Sequence, residues 1–160
     1  MLSHNVRGWL NIHAVPFSLS KQVGWTISRE LGTEQNLRWL PQSAKHGQVR
    51  VELDWQGSVQ TAPALASALA GWGEIWFEIA QEPGTGIDGG VWLHTPALGL
   101  KYRCADSAGN ILVGEHELAQ VMSQSGGAKA LKAKVSELLA EPWLNELEPL
   151  RRAVVETRAV

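Results

Sequence analysis

The 160 residues are enough to bury one real core, and 44% hydrophobic with 19% charged residues excludes a disordered chain. A formal net charge of −2 excludes a global basic field that would draw in nucleic acid or an anionic membrane. No apolar run approaches the roughly 20 residues of a membrane span.

Arg7 to Ala14 is the first predicted strand. Leu10 and Ile12 alternate with Trp9, Asn11 and His13, so one face is core and the other is mixed. Ser18 or Ser20 is placed to cap a helix running to Leu31, with Gly32 as its left-handed stop. Leu19, Val23, Ile27 and Leu31 make its buried stripe, and Trp25 falls on the opposite side. Gln35 to Leu40 reads as a short strand and Gln48 to Trp55 as a longer one. In the longer strand Val49, Val51, Leu53 and Trp55 alternate with Arg50, Glu52 and Asp54. A helix over Ala62 to Ala70 follows, with Thr61 as its cap and Gly71 as its stop. Glu74 to Ala80 is the next strand, placing Trp76 on the face of Trp9, Asn11 and His13.

The order to this point, β-α-β-β-α-β, is that of a ferredoxin-like sandwich. The expected fold is therefore α+β: an antiparallel sheet on a ferredoxin-like core at about 6–80, extended at about 90–153. Within the extension, Val91 to Thr95, Leu98 to Ala105 and a short Ile111 to Val113 read as strands. Helices are expected over Glu115 to Gln124 and Ala128 to Ala140. Pro142 is expected to interrupt before a last helical turn or two, and 154–160 to be a frayed tail. The start, from Met1 to Asn5, has neither a charged nor an apolar leader region. Cys104 is the single cysteine, which precludes an intramolecular disulfide. A cytoplasmic protein is the expectation.

Several motifs have plainer readings. Gly84, Gly86 and Gly89 spell G-x-G-x-x-G, but a dinucleotide site needs a helix to follow, and Val91 to Pro96 reads as strand. His116-Glu117 starts a zincin-like motif whose second histidine is replaced by Gln120. Cys104 has no base beside it in sequence. RNA recognition on the sheet would need aromatic residues where the long strand presents Arg50, Glu52 and Asp54. Neither cofactor nor metal is expected.

The open sheet face is the candidate site: Trp9, Asn11, His13, Arg50, Glu52, Asp54 and Trp76, with Glu74 and Glu78 nearby. A histidine beside a carboxylate serves as a general base or a ligand-binding group. The competing reading is a satisfied ion-pair network. Eight tryptophans against two phenylalanines and one tyrosine place large amphipathic side chains at seams between layers.

Four stretches carry a family resemblance: Arg7 to His13, Ala66 to Trp72, Thr95 to Gly99 and Glu141 to Arg151. Together, over roughly 6–152, the chain resembles an uncharacterised actinobacterial family, domain of unknown function 3145. The resemblance implies a cytoplasmic protein and carries no reaction with it. The favoured function is a non-enzymatic binding or regulatory module acting through protein contacts or self-association, with neither nucleic acid nor membrane as partner. The alternative is a small enzyme or metabolite binder using the His13, Glu52 and Asp54 face. The choice turns on whether helices plug that face or leave a cavity.

Overall fold

A computed structural model describes residues 5–159. Residues 1–4, which carry most of the leader expectation, and residue 160 of the expected tail lie outside the described residues. The chain forms an α+β structure around one antiparallel sheet of six strands in the order β2-β3-β1-β4-β5-β6. The strands are β1 (Val6–Pro16), β2 (Leu40–Pro41), β3 (Gln48–Gly57), β4 (Trp76–Gln81), β5 (Gly89–Thr95) and β6 (Gly99–Ala105). Five helices accompany them among the described residues: α1 (Ser20–Leu31), α2 (Thr61–Ala70), α3 (Glu115–Gln124), α4 (Ala128–Leu138) and α5 (Glu141–Arg158).

Alternation in β1, β3 and β4 decides the layering. Leu10 and Ile12 of β1, Val49 and Val51 of β3, and Phe77 and Ile79 of β4 share one face. They form the main core with Val23 and Ile27 of α1 and with Leu65 and Leu69 of α2. The other face meets α5: Leu93 of β5, Ala140 and Leu147 form a second cluster, with Trp76, Trp143 and Leu144 packed around it. The mixed face of β1 is thus covered in part by a C-terminal helix.

β1 contains one irregularity that matters for the site. Ile12 and Val15 both belong to the main core, although three residues apart they should face opposite ways. The register explains this. Ile12 pairs with Val51 and Val15 with Val49, so β1 carries one more residue than β3 across this stretch. The same slip appears against β4, where Ile12 pairs with Phe77 and Ala14 with Trp76. A β-bulge at His13 and Ala14 absorbs the extra residue, and bulges re-aim side chains in this way. Further along β1 the strands approach closely: a Cβ on Gly8 would stand 1.8 Å from the Ala80 carbonyl oxygen. Only glycine fits there.

Several boundaries differ from the sequence expectation. The strand expected over Gln35 to Leu40 is reduced to Leu40–Pro41, because Leu37 and Trp39 pack on the core from an irregular segment. Ile111 to Val113 makes only an isolated bridge, Ala105 with Ile111. Gly32 is left-handed at φ 71° as expected, whereas Gly71 is right-handed and the left-handed glycine is Gly73. No side chain caps α1 or α2.

The largest correction lies at the end of the chain. Pro142 stands in the first turn of α5 rather than interrupting it, where proline lacks no needed hydrogen bond. The expected frayed tail is helix through Arg158, with Ala153 and Val154 buried. These two continue the apolar spacing of Leu147 and Leu150, and burial of that stripe holds the helix. Ala140, fully buried and left-handed at φ 54°, makes the sharp corner that lays α5 onto the sheet. By contrast, α3 and α4 contain no buried residue.

Candidate functional site

Alternation from Trp9 and Asn11 carries His13, the first residue of the bulge, to the α5 side of the sheet, where it is 1% exposed. Asn11, two residues earlier, pairs in register with Glu78 of β4. His13 Nε2 is hydrogen-bonded to the Glu78 carboxylate. From α5, Arg151 donates through Nε to Glu78 Oε2 at 3.0 Å and through Nη2 to Oε1. One buried carboxylate therefore has an imidazole on one side and a forked guanidinium on the other, a planar geometry that arginine supplies and lysine does not.

Burial pushes the Glu78 carboxyl up, while hydrogen bonds from His13 and Arg151 and their charges pull it down. The second group wins, and Glu78 stays below the usual carboxylate range. An ionised Glu78 is acceptor-only, so His13 Nε2 must carry the proton in their shared bond. The other ring nitrogen, Nδ1, is buried and has no hydrogen-bond partner.

Backbone at the bulge is secured from the far side. Gln42, 3% exposed, donates from Nε2 to the His13 carbonyl at 2.8 Å and to the Leu150 carbonyl at 3.4 Å. One amide thus ties the β2–β3 connection to both the bulge and α5.

His13, Glu78 and Arg151 border a cleft of about 730 Å³ between the sheet, the loop at Ala108 to Ile111 and the α4–α5 corner. Trp9 and Asn11 stand at the sheet end; Val91, Leu93 and Leu144 supply apolar wall; Glu141 completes the helical side. This volume falls in the range of small-molecule sites. Cover and cavity therefore coexist on the mixed face.

The other expected residues fall elsewhere. Arg50 is buried beside the bulge, with Nη1 3.8 Å from Glu52 Oε1, and Glu52 also accepts from Arg158 at 3.2 Å. They form an ion-pair network toward the β3 edge. Glu52 and Asp54 border a separate hollow with Trp9 and Asn11, so the carboxylate that meets His13 is Glu78. Trp76 lies on the expected face but packs into the second core cluster, with Lys45 Nζ 4.3 Å from its ring centre.

Arg151 and Gln42 escaped the sequence reading. Arg151 had one readable signal, an arginine set among the apolar positions Leu147, Leu150 and Val154 of a helix. Gln42 had none, because its partners lie 29 and 108 residues away.

The remaining motifs have structural roles. The glycine-rich loop is a tight turn, with Gly84 and Ile87 exchanging backbone hydrogen bonds at 2.9 and 3.1 Å, and strand β5 follows it. Glu117 grips Arg103 at 2.7 and 2.9 Å and accepts from the Gly114 amide at 3.0 Å. Among the described residues, no group of three His, Cys, Asp or Glu side chains is arranged to hold a metal ion. None of their helices is long and apolar enough to cross a membrane.

No curated protein and no solved structure matches the chain. The family model described as "Protein of unknown function (DUF3145)" matches residues 9–159, nearly all of the sequence and all of the cleft, and the chain belongs to that family.

Proposed function

We propose that this protein binds a small molecule in the cleft bordered by His13, Glu78 and Arg151. The observation that carries the reading is His13 Nδ1, a buried ring nitrogen without a partner on a residue that borders the cleft. A buried polar atom left unpaired costs about 1–3 kcal/mol, and a ligand that satisfies it recovers that free energy. The reading is of binding rather than turnover, and it replaces Glu52 and Asp54 with Glu78 and Arg151 as the groups beside His13.

The test is to add a fractionated cell extract to the protein labelled at tryptophan and histidine and follow both by NMR. A fraction that shifts Trp9 and His13 together, and no longer does so in Leu144→Trp, is the expected result. Extracts that leave both signals unmoved would remove the reading.

A second reading, protein contact or self-association, is favoured by the α3–α4 pair. Neither helix has a buried residue, and Met122 is 61% exposed. Sedimentation velocity of wild type and Met122→Glu tests it, with a concentration-dependent assembly lost in the variant as the expected result.

We also read β1-α1-β2-β3-α2-β4 as a ferredoxin-like unit. The order β2-β3-β1-β4, with α1 and α2 sharing a core against one face, supports it.

A further inference from the structure

The sheet has two edges, and they differ in what they offer. β2 is two residues long and one of them is Pro41, which has no N–H to donate. β6, at the other end of the sheet, runs from Gly99 to Ala105. One end of its outer side is already taken: Ile111 bridges Ala105, and the Leu112 amide donates to the Cys104 carbonyl at 2.9 Å. Backbone groups alternate sides along a strand, so Leu100 and Tyr102 point their N–H and C=O outward as Cys104 does. Among the described residues, no other strand and no loop backbone bonds to those four groups.

The side chains at this window divide by face. Leu100 and Tyr102 pair with His94 and Trp92 on the α1–α2 face, yet are 40% and 47% exposed. Lys101, between them, turns to the α5 face, where its Nζ stands 5.2 Å from the Trp143 ring centre and 3.9 Å from Glu137. Glu137 is 64% exposed, and an exposed pair this long contributes little. Lys101 is therefore available to a nearer carboxylate, unlike Arg103, which is gripped twice by Glu117.

A second copy of β6 fits this edge badly. Pairing Leu100 with Tyr102 of the other copy sets Lys101 opposite Lys101, about 4.5 Å apart at Cα, and like charges directly opposite destabilise a ladder. A shift one way brings in Cys104, whose carbonyl is occupied. A shift the other way brings in Leu98, whose amide is held in the turn by Thr95 Oγ1 at 3.2 Å.

We propose that the outer edge of β6 is a docking site for an extended segment of another protein, added antiparallel as a seventh strand. Its pattern is apolar–acidic–apolar. The apolar residues lie beside Tyr102 and Leu100 and exchange backbone hydrogen bonds with them; the acidic residue stands opposite Lys101. This surface is separate from the His13 cleft, and the two readings stand or fall independently.

The experiment is a titration of the full-length protein with two peptides, followed through its backbone amides by NMR. One is acetyl-Ser-Thr-Val-Glu-Val-Thr-Ser-amide, and the other has lysine in place of glutamate. The glutamate peptide is expected to shift the Leu100 and Tyr102 amides and to bind at least about fivefold tighter than the lysine peptide. Lys101→Glu should reverse that order. Tyr102→Pro deletes one outward donor without touching the β5 ladder and should abolish binding of both.

Peptides that leave the two amides unmoved at millimolar concentration would overturn the docking site. A preference that does not reverse in Lys101→Glu would overturn the acidic pattern. Sedimentation showing a wild-type dimer that Tyr102→Pro dissolves would make the occupant a second copy and overturn the assignment to another protein. Should Tyr102→Pro fail to fold, the glutamate peptide N-methylated at both valines decides, since it keeps every side chain and loses the donors that face β6. Undiminished binding of that peptide overturns strand addition.

Discussion

Arg151 on α5 and Glu78 on β4 lie 73 residues apart and meet through a two-pronged hydrogen bond, one prong at 3.0 Å. The contact fastens the last helix to the middle of the sheet and leaves Glu78 free to hold His13 on its other side. Arg151→Met removes the guanidinium and strands a buried carboxylate. Breaking one side of a buried ion pair costs about 3–5 kcal/mol; the side chain of Arg151 is 33% exposed, so about 2–3 kcal/mol is expected. Urea unfolding measures it. The double variant Arg151→Met with Glu78→Met should lose less than the sum of the two single losses, since neither charge is left alone.

Gln42 should matter more than a loop glutamine ordinarily does. Its amide satisfies the His13 carbonyl and reaches the Leu150 carbonyl, and its Oε1 accepts from the Ala44 amide at 3.1 Å. Gln42→Leu keeps bulk and deletes every bond. A loss of about 1–3 kcal/mol is expected, with faster amide exchange at the bulge and at the α5 C-terminal half.

Gly8→Ala should be destabilising although it adds one methyl group. That methyl would sit 1.8 Å from the Ala80 carbonyl oxygen and 2.7 Å from the Trp55 ring. Both are in the packed centre of the sheet, so β1 and β4 must part. A cost of about 2–3 kcal/mol is expected for such overpacking, read as a fall in melting temperature.

Acid should weaken the fold in two stages. His94 is buried, stacked on Phe77 at 5.1 Å, with Nδ1 2.7 Å from the Ile75 carbonyl. Burial pulls its pKa below the usual histidine value, and the bond to Ile75 only partly restores it. The unfolded chain therefore binds a proton that the folded chain refuses. The contribution is full above about pH 6.5 and is lost as pH falls through the folded value. Denaturation curves at stepped pH should show this slope, and His94→Phe should flatten it.

The second stage belongs to carboxylates. The hydrogen bond from Arg103 holds Glu117 at about 2, aided by the Gly114 amide. Glu78 is lowered as well. Both contributions are present above about pH 4.5 and disappear as pH falls through the folded values. For Glu117 the visible effect should be local: α3, with no buried residue of its own, should show faster amide exchange at pH 3 before the sheet does.

Local sequence was enough to place the long strands and the helices of the first half, though not β2, because each buries one side and the spacing of apolar residues records it. Leu10 with Ile12, Val23 with Ile27, and Val49 with Val51 are all core positions on the periods of strand or helix. The same logic misjudged α5, since Pro142 and a short apolar stripe do not reveal that a sheet face is waiting for Ala153 and Val154. A helix end holds when something packs on it, and that partner is remote in sequence.

The site divides along the same line. That β1 has a mixed face bearing Trp9, Asn11 and His13 follows from alternation alone. Which carboxylate meets His13 does not follow, because strand neighbours are set by topology: Glu78 is 65 residues away. The bulge at His13 and Ala14 leaves no local signature, as the core residues Ile12 and Val15 reveal it only against the registers of β3 and β4. Sequence by itself determined a central half-polar strand carrying a histidine. Only the tertiary structure decided that this histidine opens a bulge, is held by Glu78 and roofed in part by α5, and keeps one unpaired nitrogen on a residue that borders a cleft. Pairing, register and cover are contacts between distant segments, and no stretch of chain encodes them on its own.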